Sequence, residues 1–532
     1  MRRIEIGVTA GLLILLIALH VTAYLESGGL WRDEVNSVNL STVPSLRELW
    51  NKLQYDSFPI PWFLLLRAWV FVGLGETDLA IRALGLMIGV GTVAALFFAA
   101  WSLRVRLPVA SFALFALSPT AFLCDTIRGY GLGVLSVLLA VGLMWRTVED
   151  PAPRRMALGA AAVIVSVQCL YSNSALVFAV CVAAAAVGLT ARDRTLTIFA
   201  AGAGLLAATS LVPYLGTIAG IDDWNVLFKR PVDVAWILGK LGQALAPAGG
   251  GAAWIWAVLC LLAVASLARR VFASDPDQAR NQRRASLFVL TMMLVGAMSY
   301  VAFIKVLSYP TQSWHYLAIM AVVAVGIDKG IDVACEESVR LRIARVAVLV
   351  GIASLMSADA WNAVRTRKTN MDVLATQLQT LSTDGDLIVV FPFYYGVSFA
   401  RYYRGSAAWL TIPEMDDHSV HRYDLFKSRM MEDDPLSPAL EKMTRTLREG
   451  HRVWVVGGLD SPRRGQRPPV LPAAPTSRFG WSEVAYQSAW SQMAAFTLET
   501  HRASLERIDL GLDAPVNPHE NVPLLVARGW RP

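Results

Sequence analysis

The run IGVTAGLLILLIALHVTAY, Ile6 to Tyr24, decides how the rest of the chain is read. It is almost wholly apolar and long enough to cross the hydrocarbon core of a bilayer. Met1-Arg2-Arg3 precedes it, and a basic flank of this kind stays in the cytoplasm. A cleaved signal peptide would share the basic start and the small-residue patch near Ala23. Its core would be shorter and no train of spans would follow, so the segment reads as a retained anchor. Trp31-Arg32-Asp33-Glu34 then emerges on the outer face. Two adjacent carboxylates cost little in a solvated loop, so on these residues alone a plain polar linker and a chemical element both stay open.

Composition agrees with the anchor. A 532-residue chain that is 55% hydrophobic and only 17% charged, with a mean hydropathy of +0.46, is too apolar for a soluble globular protein. It is expected to be a polytopic α-helical membrane protein. The net charge of +7 does not point to nucleic acid, because the arginines sit in short clusters between apolar runs rather than along one basic face. Cys124, Cys169, Cys181 and Cys260 lie in or beside apolar runs and Cys335 in a loop, with no disulfide or metal spacing among them.

Taken in order, outer loops are expected at 25–79 and 216–250. Within the first, Pro59–Leu74 is apolar but only about 16 residues long. Spanning would bury Arg67 at a cost of roughly 2.5–3.5 kcal/mol, so an interfacial helix is expected there. Val232–Leu245 reads as a second. Spans are expected near 6–24, 80–101, 107–123, 129–145, 156–170, 174–190, 195–215, 252–268, 286–304, 314–327 and 343–358. That makes about eleven, with the N-terminus inside and nearly every arginine cluster on one side. The loop before Arg283-Arg284 falls on the cytoplasmic side.

From about Ala360 the composition changes. Asp386–Pro392 and Arg452–Gly458 read as short buried strands with a helix-like Ala439–Leu447 segment between them, the pattern of a soluble α/β domain of roughly 170 residues on the outer face. The expected division is therefore 1–360, membrane, and 361–532, extracytoplasmic. Ser461–Arg478 reads as a flexible loop. Gly249-Gly250-Gly251 lacks the strand and helix of a nucleotide fingerprint.

On this topology the outer face carries Asp33, Glu34, Asp56, Asp125, Arg128, Tyr130, His315 and Tyr316. Carboxylates beside arginine and histidine at an interface suit proton removal from an acceptor hydroxyl and stabilisation of a phosphate leaving group. Several arrangements then coincide. They are an N-terminal span, the outer Asp33-Glu34 pair, Asp56 with Pro59 opening a short apolar helix, and Gly75-Glu76 through Arg82 before the next span. This order resembles the membrane glycosyltransferases of the GT-C fold, in the protein mannosyltransferase and aminoarabinose transferase branch. Ser118-Pro119 followed by Arg128-x-Tyr130 resembles a further family pattern, as does His315-Tyr316 where relatives often have Arg-Tyr. The resemblance covers roughly residues 1–330, and the C-terminal domain only in type.

The resemblance implies transfer of a sugar from a polyprenyl-phosphate donor to a lipid, glycan or protein acceptor at the outer side of the membrane, with inversion. Asp33 matches the family's catalytic acidic position and would be the general base, Glu34 would support it or bind acceptor, and Asp125 would be the second acid. Arg128, Lys305 or His315 would hold the donor phosphate; Asp56, Tyr130 and Tyr316 would touch substrate. Where relatives show His-Pro-Pro-Leu-Tyr, this chain has Phe58-Pro59-Ile60-Pro61-Trp62. No cofactor is therefore assigned, and a divalent metal ion stays open. The Ala/Arg/Leu-rich composition and short loops favour a bacterial inner membrane with the C-terminal domain in the periplasm.

Plainer roles stand beside these. Glu34 would equally cap a helix, Asp125 pair with Arg128, Arg82 pair with Glu76 or Asp78, and Tyr130, Tyr316 and His315 serve the interface. Tyr394-Tyr395 and Arg401–Arg404 fit a glycan surface or ordinary packing. Two other functions compete. A lipid-carrier flippase would be expected to show half-repeats and mid-span charges, and a surface-polysaccharide polymerase or ligase would place its large loop late.

Overall fold

The computed structural model describes residues 2–106, 108–246, 251–272, 280–336, 338–463, 466–475 and 481–532. The chain divides into two compact units. The first comprises Met1–Leu25, Phe58–Leu215 and Pro231–Arg365; the second comprises Glu26–Ser57, Gly216–Arg230 and Thr366–Pro532. Gly249-Gly250, residues 273–279 of the expected cytoplasmic loop and parts of Ser461–Arg478 lie outside the described residues.

The described residues include eight helices long and apolar enough to cross a membrane, and they build the first unit. They turn aliphatic side chains outward: Ile14, Ile198, Leu261 and Leu355 are 70–72% exposed. A surface of that kind is stable against lipid and not against water, so the chain is an integral membrane protein. Eight of the expected spans fall on these helices, from Arg2–Glu26 to Val339–Val364.

Three do not. The expected span 107–123 is a π-helical turn, Ser111–Ala116, followed by a 3₁₀ turn, Pro119–Asp125. Pro119 has no N–H to continue a helix, and the Ser118 hydroxyl accepts from Ala121 N–H instead. The irregular backbone is tolerated because Ser111–Ala116 is entirely buried in protein. The expected span 156–170 is helix Pro153–Cys169, of 17 residues with Arg154 and Arg155 in its first turn. The expected span 314–327 extends through Leu317–Cys335 and takes in Asp328, Lys329 and Asp332. The short apolar helices Ile60–Trp69, running on into the π-helical Val70–Leu74, and Val234–Leu245 are where interfacial helices were expected.

The charges on helix Leu317–Cys335 tie this unit together. Asp328 accepts from Ala110 N–H and Ser111 N–H, each at 2.8 Å, and from the Ser111 hydroxyl. It so caps the broken segment from a helix far along the chain. Arg345 donates to Glu5 at 3.0 Å and to Asp332 at 3.1 Å, joining helices Arg2–Glu26, Leu317–Cys335 and Val339–Val364.

The second unit is built on a five-stranded sheet in the order β2-β1-β3-β5-β4. Its strands are β1 Leu387–Val390, β2 Ala408–Thr411, β3 Val453–Val456, β4 Ser504–Ile508 and β5 Leu524–Arg528. Strand β1 runs parallel to β2 and β3, and β5 antiparallel to β3 and β4. The central strands, LIVV and VWVV, are buried on both faces, which is why they are continuously apolar. Leu387 and Val389 join a core with Met443, Leu447 and Trp490, whereas Ile388 and Val390 join Leu374, Leu378 and Phe399. Helices thus cover both faces, as the period-two alternation of side chains requires. The described part of Ser461–Arg478 has no helix or strand and is pinned where Ala474 N–H donates to the Met430 carbonyl at 2.8 Å.

Candidate functional site

Asp33 and Glu34 belong to a helix. Trp31 takes an extended conformation and helix Arg32–Ser41 starts after it, with both acids in the first turn, where a helix N-terminus favours negative charge. Glu34, wholly buried, accepts the Trp31 N–H at 3.1 Å and so caps its own helix. Asp33, one position earlier, stays about a quarter open and meets two donors: His421 Nε2 lies 3.2 Å and Arg32 Nε 3.5 Å from its Oδ1.

His421 is held from every side. Its backbone N–H donates to Asn36 Oδ1 at 2.8 Å, and Asn36 Nδ2 donates on to Asp56 Oδ2 at 3.0 Å. Asp56 also takes the Ser37 hydroxyl and the Ser57 N–H. Its place is therefore a buried knot under the helix. Arg422, next in the chain, forks onto Asp417 and Asp424 and fixes the backbone through position 421. Among the described residues the Nδ1 atom of His421 is buried with no hydrogen-bond partner. The tautomer with the proton on Nε2 is the one that gives the contact with Asp33 a donor.

On its other side Arg32 lies 4.2 Å over the Tyr394 ring, with Nη1 3.4 Å from Glu520 Oε1. Burial alone would lower the guanidinium pKa; Glu520 and Asp33 outweigh it, raise it above its ordinary value and keep it charged. Burial, with help from the charges of Asp33 and Glu34 and against Arg32, pushes the Glu520 carboxyl up to about 7. Tyr394-Tyr395 and Tyr402 are thus used internally, the Tyr402 hydroxyl accepting Leu30 N–H at 2.6 Å.

The remaining sequence candidates lie in the membrane unit. Asp125 ends the 3₁₀ turn with both carboxylate oxygens near His20 Nδ1, at 2.9 and 2.7 Å, so it is hydrogen-bonded to a histidine of the first span. The approach needs glycine: a Cβ at Gly85 would stand 2.0 Å from the Asp125 carbonyl oxygen, and one at Gly89 1.9 Å from Oδ1. Gly89→Ala is therefore expected to separate Asp125 from His20 and cost about 1–3 kcal/mol. Thermal unfolding in detergent checks this against Gly202→Ala, where a Cβ meets nothing within 4 Å. Equal midpoints for the two would show that the turn yields freely.

Arg128 is buried, 4.7 Å over the Phe58 ring; Phe58 meets Tyr130 edge-on at 4.8 Å, and Tyr130 meets His315 at 6.0 Å. The structure so brings Arg128, Tyr130 and His315 into one group. His315 Nδ1 accepts the Gln312 N–H at 2.9 Å. Tyr316 is buried against Thr311, and Lys305 is exposed in the last turn of helix Arg280–Leu307.

Sequence reasoning missed His421, Glu520 and His20. The first lies in the titratable run Asp416-Asp417-His418-Ser419-Val420-His421-Arg422-Tyr423-Asp424, a usable signal, and the last is a lone histidine inside an apolar span. Among the described residues no group of His, Cys, Asp and Glu is placed to hold a metal ion.

No family model and no curated protein sequence matches the chain. Among solved structures it is similar to the oligosaccharyltransferase of Archaeoglobus fulgidus in complex with Zn and sulfate. The TM-score there is 0.47 at 11% identity, over 93% of this chain and 78% of that one. ArnT of Cupriavidus metallidurans in the apo state gives 0.47 at 13%, over 85% and 93%. AglB of Archaeoglobus fulgidus with an inhibitory peptide and a dolichol-phosphate gives 0.42 at 11%, over 84% and 69%. These neighbours are GT-C membrane glycosyltransferases. At this identity the likeness assigns no residue of this chain a role.

Proposed function

We propose that the protein is an inverting glycosyltransferase that moves a sugar from a polyprenyl-phosphate donor to an acceptor hydroxyl at the outer face of a bacterial inner membrane. The observation that carries the reading is Asp33: a carboxylate flanked by Arg32 and by Nε2 of His421, yet still partly open. Such a group can take the acceptor proton as the hydroxyl oxygen bonds to the anomeric carbon, while the bond from that carbon to the phosphate oxygen breaks and its electron pair leaves with the lipid phosphate. Because the attack is direct, the anomeric carbon inverts.

With its proton on Nε2, His421 orients and stabilises the carboxylate instead of receiving the proton. Asp56 and Asn36 hold His421 in place, and Glu34 holds the helix that presents Asp33. In the membrane unit, buried Arg128 is the residue we assign to a phosphate, with His315 as a hydrogen-bonding companion. No step is routed through a metal ion.

The test is a transfer assay on the full-length protein in lipid, with a panel of radiolabelled polyprenyl-phosphate sugars and lipid, glycan and peptide acceptors. Turnover of one donor is the expected result and would name the sugar. Movement of labelled lipid across the bilayer with no donor consumed would replace the enzyme reading with a carrier.

A further inference from the structure

Glu520 has no exposed surface, and among the described residues its carboxyl is met only loosely, by Arg32 Nη1 at 3.4 Å from Oε1 and by the Thr369 hydroxyl. Its backbone cannot swing away: the N–H donates to the Asn517 carbonyl at 2.9 Å, and its own carbonyl accepts from Asn370 N–H and the Thr369 hydroxyl. A buried carboxyl held so loosely is costly in its charged form. An enclosed site has no room for a sugar. A proton is the ligand that needs no space.

The cation beside it is divided. Arg32 reaches Glu520 with Nη1 at 3.4 Å and Asp33 with Nε at 3.5 Å, and Tyr394 fixes its plane from 4.2 Å. We propose that Glu520 is a proton-binding site coupled through Arg32 to Asp33, and that its protonation sets the base strength of Asp33. With the proton bound, Arg32 belongs to Asp33 alone and weakens it as a base. With the proton released, the guanidinium is shared, two anions face it, and Asp33 holds a proton more strongly.

The groups facing Glu520 are Arg32, Asp33 and Glu34 of helix Arg32–Ser41, Thr369, and Tyr394 and Tyr395 at the start of helix Tyr395–Tyr402. Burial and the two acids hold its proton on until about pH 7, against the pull of Arg32. In the proposed reaction the rate therefore rises with pH through that value. The coupling to catalysis rests on Asp33 being the base; the proton site itself does not.

Infrared difference spectroscopy on the full-length protein in lipid nanodiscs, over about pH 5 to 9, separates the two. The expected result is a protonated-carboxyl band lost with a midpoint near 7, abolished in Glu520→Gln, kept with a moved midpoint in Glu520→Asp, and shifted down by about 1 pH unit in Asp33→Asn. No titrating band, a band that survives Glu520→Gln, or a midpoint indifferent to Asp33→Asn overturns the proposal. Should Glu520→Gln fail to fold, the Glu520→Asp and Asp33→Asn arms decide it. With a donor in hand, a wild-type rate that rises through the band's midpoint and is flat in Glu520→Gln supports the link to catalysis, and a flat wild-type profile overturns that link. A normal band without transfer of any sugar would sink the base assignment and leave the proton site standing.

Discussion

Asparagine at position 33 is expected to lower sugar transfer by about 100- to 10,000-fold, the range a positioned general base contributes, while the protein inserts and folds as before. The substitution removes charge and little else. An amide oxygen still accepts from His421 Nε2, and Arg32 keeps its contacts with Glu520 and Tyr394. His421→Ala takes away the donor and leaves the base, so its loss should be smaller than that of Asp33→Asn. Initial rates at saturating donor, with thermal midpoints beside them, measure both. Near-normal turnover in Asp33→Asn, or a greater loss in His421→Ala, would contradict the roles assigned here.

Arg345→Met is expected to be the most destabilising single change in the membrane unit, at about 3–5 kcal/mol. It strands two carboxylates at once: Glu5 is 4% and Asp332 13% exposed, and Arg345, at 5%, is the cation bonded to both. Neither acid can turn to water without parting helices. Adding Glu5→Gln and Asp332→Asn to Arg345→Met should restore much of the loss, because the damage comes from uncompensated charge and not from missing volume. Thermal unfolding in detergent gives the comparison. A single mutant as stable as wild type would show that water already reaches the cluster.

These residues mark where the sequence could be read and where it could not. LIVV and VWVV read as buried strands because local composition decides burial on both faces. Most spans were legible for the same reason. The stretch 107–123 passed the hydropathy test but is broken at Pro119, and a window average does not register one missing N–H. The late span was cut short at 327 because Asp328, Lys329 and Asp332 count against a membrane; their partners, Ala110, Ser111 and Arg345, lie elsewhere in the chain. Asp33 was legible as a motif and its environment was not. His421 sits in a different segment, and Glu520 lies in a stretch of prolines and asparagines with no period to follow.

Distance along the chain has a further consequence, in the timing of biosynthesis. Leu30 with Tyr402, Asn36 with His421, and Asp33 with His421 join positions 372, 385 and 388 residues apart. At roughly 5–20 residues per second, about 20 to 80 s pass between the synthesis of Asp33 and that of its histidine. The spanning helices are complete well before then. Until His421 arrives the aspartate lacks the donor that orients it, and the knot at Asn36 and Asp56 is unfinished. On the proposed reading, a chain released early would carry the whole acidic motif without its histidine, and the order of synthesis itself would keep incomplete copies silent.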